Sequence, residues 1–356
     1  MSKSKWLSKP VVVAIVILLV AVITATVAAS HLFSLIQEDV TTRLNTALTT
    51  SINRVKQSYT NHQRNSLYWA ENTVIQQIAL LANKQDNKVM QQDLYRLVDG
   101  NIKAILSNEG YLDYKLFSTH GDMILSGVSG FANEDNQVRL PLNIRTDLPT
   151  NTVYTSHPFM PSSSWQETLG QNYPTPTMLF IAPVHDWAGK TVAFFAFEID
   201  PDKIFNPAFH ENQVGQTGQA YAIDEHGRML TQSKFTKQLI QAGLIDAAHP
   251  LSELALEVRD PGVNLLSSEK KQVAANAPLT LMAKSLTQHQ TGVSLKGYRD
   301  YRGVKVIGSW RWDDHLNMGI VTETEVAEVY KLYRSLLFSV VISIVFVIFM
   351  TAFGTY

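Results

Sequence analysis

The sequence predicts an α+β fold: a long N-terminal helix backing two stacked antiparallel-sheet subdomains, with a transmembrane helix at each end. Three observations predict it. Two charge-free apolar runs lie near the ends of the 356 residues. An apolar stripe with three- and four-residue steps continues from the first run. Two strand–turn–strand units with Asp and Gly in their turns recur further along.

The first apolar run begins Pro10-Val11-Val12-Val13-Ala14-Ile15 and stays uncharged for about 27 residues, whereas about 20 suffice to cross a bilayer. A cleaved leader ending near Val27-Ala28-Ala29 would have a shorter apolar core, so an uncleaved anchor is expected. The second run, Leu336 to Phe353, is rich in Val, Ile and Phe. Lys3, Lys5 and Lys9 precede the first helix, which places the N-terminus in the cytoplasm. Lys331 and Arg334 then sit outside, against the rule, and the first helix is taken to dominate. The spans are expected at 10–32 and 336–353, after a cytoplasmic segment 1–9.

Thirty basic residues face 31 acidic ones, a formal charge of −1. No basic footprint for nucleic acid is present. The chain has no cysteine, so the outer region is held by its core rather than by disulfides.

After the first span, Phe33, Ile36, Val40, Leu44, Leu48, Ile52, Val55 and Tyr59 form one helical face, with Arg43, Asn45, Asn53 and Lys56 on the others. No Pro or Gly lies between Val11 and Asn83, so one helix over 31–83 is expected, about 80 Å long at a rise of about 1.5 Å per residue. The stripe either packs along its own module or forms the seam of a homodimer. A homodimer is expected.

A second helix is read over Gln91 to Ser107. Tyr114–Ser118 and Met123–Ser126 then flank Thr119-His120-Gly121-Asp122 as a hairpin. Residues 127–176 are proline-rich and non-repetitive, a length that points to function. Strands follow at Thr177–Ala182 and Thr191–Phe197. After a linker at 201–218, Gln219–Ile223 and Arg228–Thr231 flank Asp224-Glu225-His226-Gly227. Residues 235–266 read as helical or loose. Val293–Tyr298, Val304–Trp312 and Met318–Thr322 complete a second sheet, and a last helix runs from about Glu323 into the second span. The parts are helices over 33–110, a distal subdomain over 111–204, a proximal one over 205–325 and an exit helix over 326–335.

Pro183-Val184-His185-Asp186-Trp187-Ala188-Gly189 resembles the hairpin of double Cache sensor domains. Gly215–Tyr221 followed by Asp224–Gly227 resembles the opening of their membrane-proximal subdomain. Gly297–Gly303 with Trp310-Arg311-Trp312 is similar to its close. The resemblance covers about residues 31–335. It implies two PAS-like (Cache) subdomains in a two-pass receptor of the bacterial inner (plasma) membrane. The sensor part would face the periplasm or exterior, bind a small molecule in the distal subdomain and signal to a cytoplasmic domain. That output domain, of kinase, diguanylate cyclase or chemoreceptor type, is not among these residues.

Amino-acid-binding Cache domains place an acid on the strand after the hairpin, and counting from Pro183 that position is Glu198. They also use a Tyr, Arg, Trp, Tyr cluster. Arg145, Tyr154, Trp165 and Tyr173 offer those residue types here without the R-x-W-Y spacing, and Tyr114 on the first strand is a further candidate. Aromatics beside an acid suit an amine, whereas Arg145 suits a carboxylate. Both classes stay open. Trp310 and Trp312 read as core, and Asp186 as a turn cap.

No P-loop, H-E-x-x-H or G-x-S-x-G is present. His157, His185, His210 and His226 lack metal-ligand spacing. No catalytic residue, metal or cofactor is expected. A membrane-anchored adaptor that binds a periplasmic partner protein is the rival reading. A transporter subunit would need polar residues within its spans.

Overall fold

The structure, a computed structural model, describes residues 9–84, 88–131, 139–140, 148–149, 151–161, 175–210, 213–267, 274 and 276–354. Helix α1 runs Lys9–Ala70, about 93 Å at a rise of about 1.5 Å per residue. Pro10 sits in its first turn, where a missing N–H breaks no helical bond.

The single helix expected over 31–83 is two. The chain turns at Glu71-Asn72, and Asn72 Oδ1 accepts from Val74 N at 2.9 Å, starting α2 at Thr73–Lys84. No Pro or Gly is involved; an Asn cap supplies the stop. Helix α3, Lys88–Glu109, leads into the first sheet.

That sheet contains β1 (Tyr111–Ser118), β2 (Met123–Ser126), β3 (Gly130–Phe131), β4 (Tyr154–Thr155), β5 (Met178–His185) and β6 (Thr191–Ile199). Its order is β3-β2-β1-β6-β5-β4, and each named pair is antiparallel. Helix α4 (Asp202–Phe209) connects to the second sheet, formed by β7 (Gln219–Ile223), β8 (Gly292–Arg299), β9 (Lys305–Asp313) and β10 (Met318–Glu325) in the order β7-β10-β9-β8. Short helices α5 (Thr236–Gln241) and α6 (Leu281–Leu286) lie between β7 and β8. Helices α7 (Val326–Val329) and α8 (Lys331–Gly354) close the chain.

Helix α1 is a spine common to both sheets. Its stripe Val40, Leu44, Leu48, Ile52, Val55 and Tyr59 is buried within its own chain. Polar bonds fix the register. His62 Nδ1 lies 2.7 Å from Tyr111 Oη, and Ser66 Oγ donates to Phe180 O at 3.2 Å. Nearer the apolar N-terminal part of α1, Thr322 Oγ1 donates to Leu44 O at 3.1 Å, and Ser309 Oγ donates to Asn45 Oδ1 at 2.6 Å. The stripe offered as a dimer seam is therefore consumed inside the protomer, because both sheets need an apolar backing. A homodimer has to use other faces.

The turn readings hold. Asp186 Oδ1 accepts from Ala188 N and Lys190 N, both at 2.9 Å. Asp224 Oδ1 accepts from His226 N at 2.9 Å and Arg228 N at 2.8 Å. The last helix, however, starts later than Glu323. Glu323, Thr324 and Glu325 pair with Gly308, Ile307 and Val306 as strand, and helix begins only at Val326.

The first part of α1 is long and apolar enough to cross a membrane, and none of its most apolar window is buried. The uninterrupted apolar stretch described in α8, Tyr333–Phe346, is shorter. Phe33 stacks on Tyr330 at 5.4 Å and packs against Tyr333 at 5.3 Å where α1 and the C-terminal helices leave the sheets.

Candidate ligand site on the distal sheet

Strand alternation gives the distal sheet two unlike faces. Tyr114, Leu116, Phe180, Ala182, Phe195 and Phe197 face the helices. Phe117, Leu179, Ile181, Phe194 and Ala196 face the long segment after β2, with Leu140, Leu148, Tyr154 and Phe159 packed on them. Asp113, Lys115 and Glu198 belong to this second face, since Asp113 pairs with Glu198 and Lys115 with Ala196 across β1 and β6.

There the strands bury three charges. Asp113, Lys115 and Glu198 are each 0% exposed. Lys115 Nζ lies 2.6 Å from Asp113 Oδ2 and 2.6 Å from Glu198 Oε2. The remaining oxygens are also satisfied. Ser126 Oγ donates to Asp113 Oδ2 at 2.6 Å, and Asp113 Oδ1 accepts from Tyr114 N at 2.8 Å and Val128 N at 3.1 Å. Thr177 Oγ1 donates to Glu198 Oε1 at 3.0 Å. Burial alone would pull the Lys115 ammonium down, but Glu198 and Asp113 outweigh it and hold it above its ordinary value.

The expected site residues divide. Glu198 faces the long segment and Tyr154 lies on the same face, on β4. Tyr114 points the other way, packing near Phe195 with its hydroxyl 3.5 Å from Asp99 Oδ1. It cannot line one cavity with Glu198, because adjacent register positions put Tyr114 and Asp113 on opposite faces. Arg145, Trp165 and Tyr173 lie outside the described residues. Sequence reasoning passed over Asp113 and Lys115. Their signal was present: two opposite charges two positions apart in an otherwise apolar strand must share a face.

The proximal sheet is filled differently. Tyr221, Tyr298, Tyr301, Trp310 and Trp312 pack with Met282 and Leu286 over its outer face. The two tryptophans are core, as their spacing suggested.

No family model matches the chain, and no curated protein matches it in sequence. Solved structures do match. The periplasmic sensory domain of the Campylobacter jejuni chemoreceptor Tlp1 aligns at TM-score 0.51 and 9% identity, over 83% of this chain and 98% of that one. The extracellular domain of vpHK1S-Z8, described as a histidine kinase, aligns at TM-score 0.50 and 9% identity, over 83% and 95%. At that identity the likeness is one of fold.

Proposed function

The chain has the double Cache fold, and from that premise we propose that it is a transmembrane sensor that binds a small charged molecule at the loop face of its distal sheet. The observation that carries this is the fully buried Asp113–Lys115–Glu198 group on that face, beneath the long segment that follows β2. Interior charge is costly, and a group of this kind offers partners for exchange. An amine would take the place of Lys115 against Glu198. A carboxylate would take the place of Glu198 against Lys115. Tyr154 lies on the same face, and Arg145, Trp165 and Tyr173 belong to the segment that would cover it.

Binding that orders this segment biases how the sheet sits on α1, and the exit helix carries the change across the membrane to a cytoplasmic output domain. The ligand can shift that equilibrium only by its differential affinity for the two states. The spans at 10–32 and 336–353 would place 33–335 outside an inner membrane, with the aromatic cluster Phe33, Tyr330 and Tyr333 at the outer interface.

The test is thermal melting of the full chain in lipid nanodiscs against a library of small amines and carboxylates. At least one compound should raise the midpoint in proportion to occupancy. If no compound of either class does so, the ligand-sensing reading is lost. Orientation is tested separately. Trp187, 77% exposed at the β5–β6 tip, is replaced by the only cysteine in the chain, and a membrane-impermeant maleimide should label it on intact cells.

A further inference from the structure

A second buried carboxylate lies in the strand that leads out to the membrane. Glu323 on β10 is 1% exposed. Its Oε1 accepts from Tyr298 Oη at 2.6 Å, and its Oε2 accepts from Tyr221 Oη at 3.1 Å and Gln219 Nε2 at 3.2 Å. All three donors are neutral. Opposite it β9 presents Gly308, where a Cβ would stand 2.7 Å from Tyr298 Oη and 3.0 Å from Glu323 Cγ. The missing side chain makes the room that the carboxyl and tyrosine occupy.

The charges around it are committed elsewhere. In the β8–β9 turn, Asp300 and Arg302 pair at 2.8 Å, and Arg302 reaches Glu325 at 3.3 Å, Gln238 on α5 at 2.6 Å and the Phe235 ring face at 3.6 Å. From the same turn Tyr301 Oη donates to Gln219 Oε1 at 2.8 Å and meets Ser233 Oγ at 2.9 Å. Glu323 therefore ends a hydrogen-bond chain from Ser233 through Tyr301 and Gln219, and no ion-pair partner of it is found among the described residues.

We propose that Glu323 is a proton-binding site through which external pH acts on the exit strand, independently of any ligand at the distal sheet. As a carboxylate it uses three donors. Taking up a proton, it must donate one bond, so Tyr298, Tyr221 or Gln219 has to become an acceptor or turn away. That rearrangement falls between β10 and the donors on β7 and β8, and β7 is its hydrogen-bonded neighbour in the sheet. Two residues further on, the same pair of segments holds the start of the exit helix. Glu325 N donates to Thr217 Oγ1 at 3.1 Å, and the Glu328 carboxylate accepts from Gln216 N and Thr217 N, both at 2.7 Å.

The balance lies near neutrality. Burial and then the like charge of Asp300 push the Glu323 carboxyl up to about 7, against the hydrogen bonds of Tyr298 and Tyr221 and the charge of Arg302.

The experiment uses the full chain in lipid nanodiscs. In pH-difference infrared spectra a buried carboxyl band should titrate near neutral pH and be missing from Glu323→Gln. Tyr298→Phe removes a donor to the charged form and should move that midpoint to higher pH. Glu253→Gln should leave it in place. The chain has no cysteine, so spin labels at His31→Cys and Lys331→Cys report the spacing of the two long helices cleanly. That spacing should change across the same midpoint in the wild type and stay fixed in Glu323→Gln. The inference is overturned if the band persists in Glu323→Gln, if that variant keeps the change in spacing, or if the wild-type spacing does not respond to pH.

Discussion

Asp113 and Glu198 are cross-strand neighbours, and like charges in that relation repel; Lys115 between them turns repulsion into a closed group. Removing one member and removing all three therefore differ. Lys115→Met leaves two carboxylates in the interior without their cation and is expected to cost about 3–5 kcal/mol. Asp113→Asn, Lys115→Met and Glu198→Gln together remove every charge and should bring stability back to near the wild-type value. Denaturant unfolding of the single and triple variants checks this; equal losses in both would show that packing, not charge, dominates. Of the expected site, Glu198 could be placed on a strand from the sequence, whereas the face of Tyr154 came only from the pairing of β4 with β5. Tyr114 could not, since deciding which face of β1 meets the helices needs the position of α1.

The break between α1 and α2 comes from a particular contact rather than from Pro or Gly. The α1–α2 turn depends on the Asn72 cap, and Asn72→Ala should cost about 1 kcal/mol, read as a lowered melting midpoint. Gly308→Ala tests the crowding of the proximal sheet. Its Cβ would come within 2.9 Å of the Thr322 carbonyl as well as 2.7 Å of Tyr298 Oη. Overpacking of that kind costs about 1–3 kcal/mol, so the same melting assay should show a loss, whereas Gly189→Ala in an open turn strains only its positive φ of 78°. The two Asp turns were legible because an Asx side chain and a Gly three positions later make a local hydrogen-bond pattern. The extension of β10 to Glu325 was not legible, since polar residues Thr322–Glu325 carry no strand periodicity and their partners lie on β9.

Across the whole molecule two buried carboxyls draw stability down as pH rises. Burial pushes Glu253 up from 4.5 to about 9, aided by Asp202 and Asp200, and Glu323 rises from 4.5 to about 7. Both bind protons more tightly in the folded than in the unfolded chain, so stability is greatest at low pH on their account. It falls as pH rises above about 4.5, to about 7 for Glu323 and about 9 for Glu253. Below about pH 6.5 the buried His62, held down to about 4 by burial, works the other way; between about pH 6.5 and 9 melting midpoints should decline in the wild type, and the double variant Glu253→Gln/Glu323→Gln should flatten the decline. A decline left unchanged would place it on other groups. At this scale too, the apolar surface of α1 around Val16, Leu19, Ile23 and Val27 is more than half exposed, which suits lipid rather than water.

What the sequence determined by itself were features with a short-range cause, although the local Asn72 cap and the Asp113–Lys115 pair were not read from it. The apolar ends, the three-and-four stripe, the Asp–Gly turns and the order of two sheets all follow from residues close together in the chain. Tertiary structure decided where long-range partners meet. It turned the stripe inward against both sheets, set Tyr114 and Glu198 on opposite faces, supplied Glu198 with Lys115 from a strand 83 residues earlier, and surrounded Glu323 with neutral donors from β7 and β8. Burial and charge pairing are properties of surroundings, and surroundings are assembled only when distant segments pack.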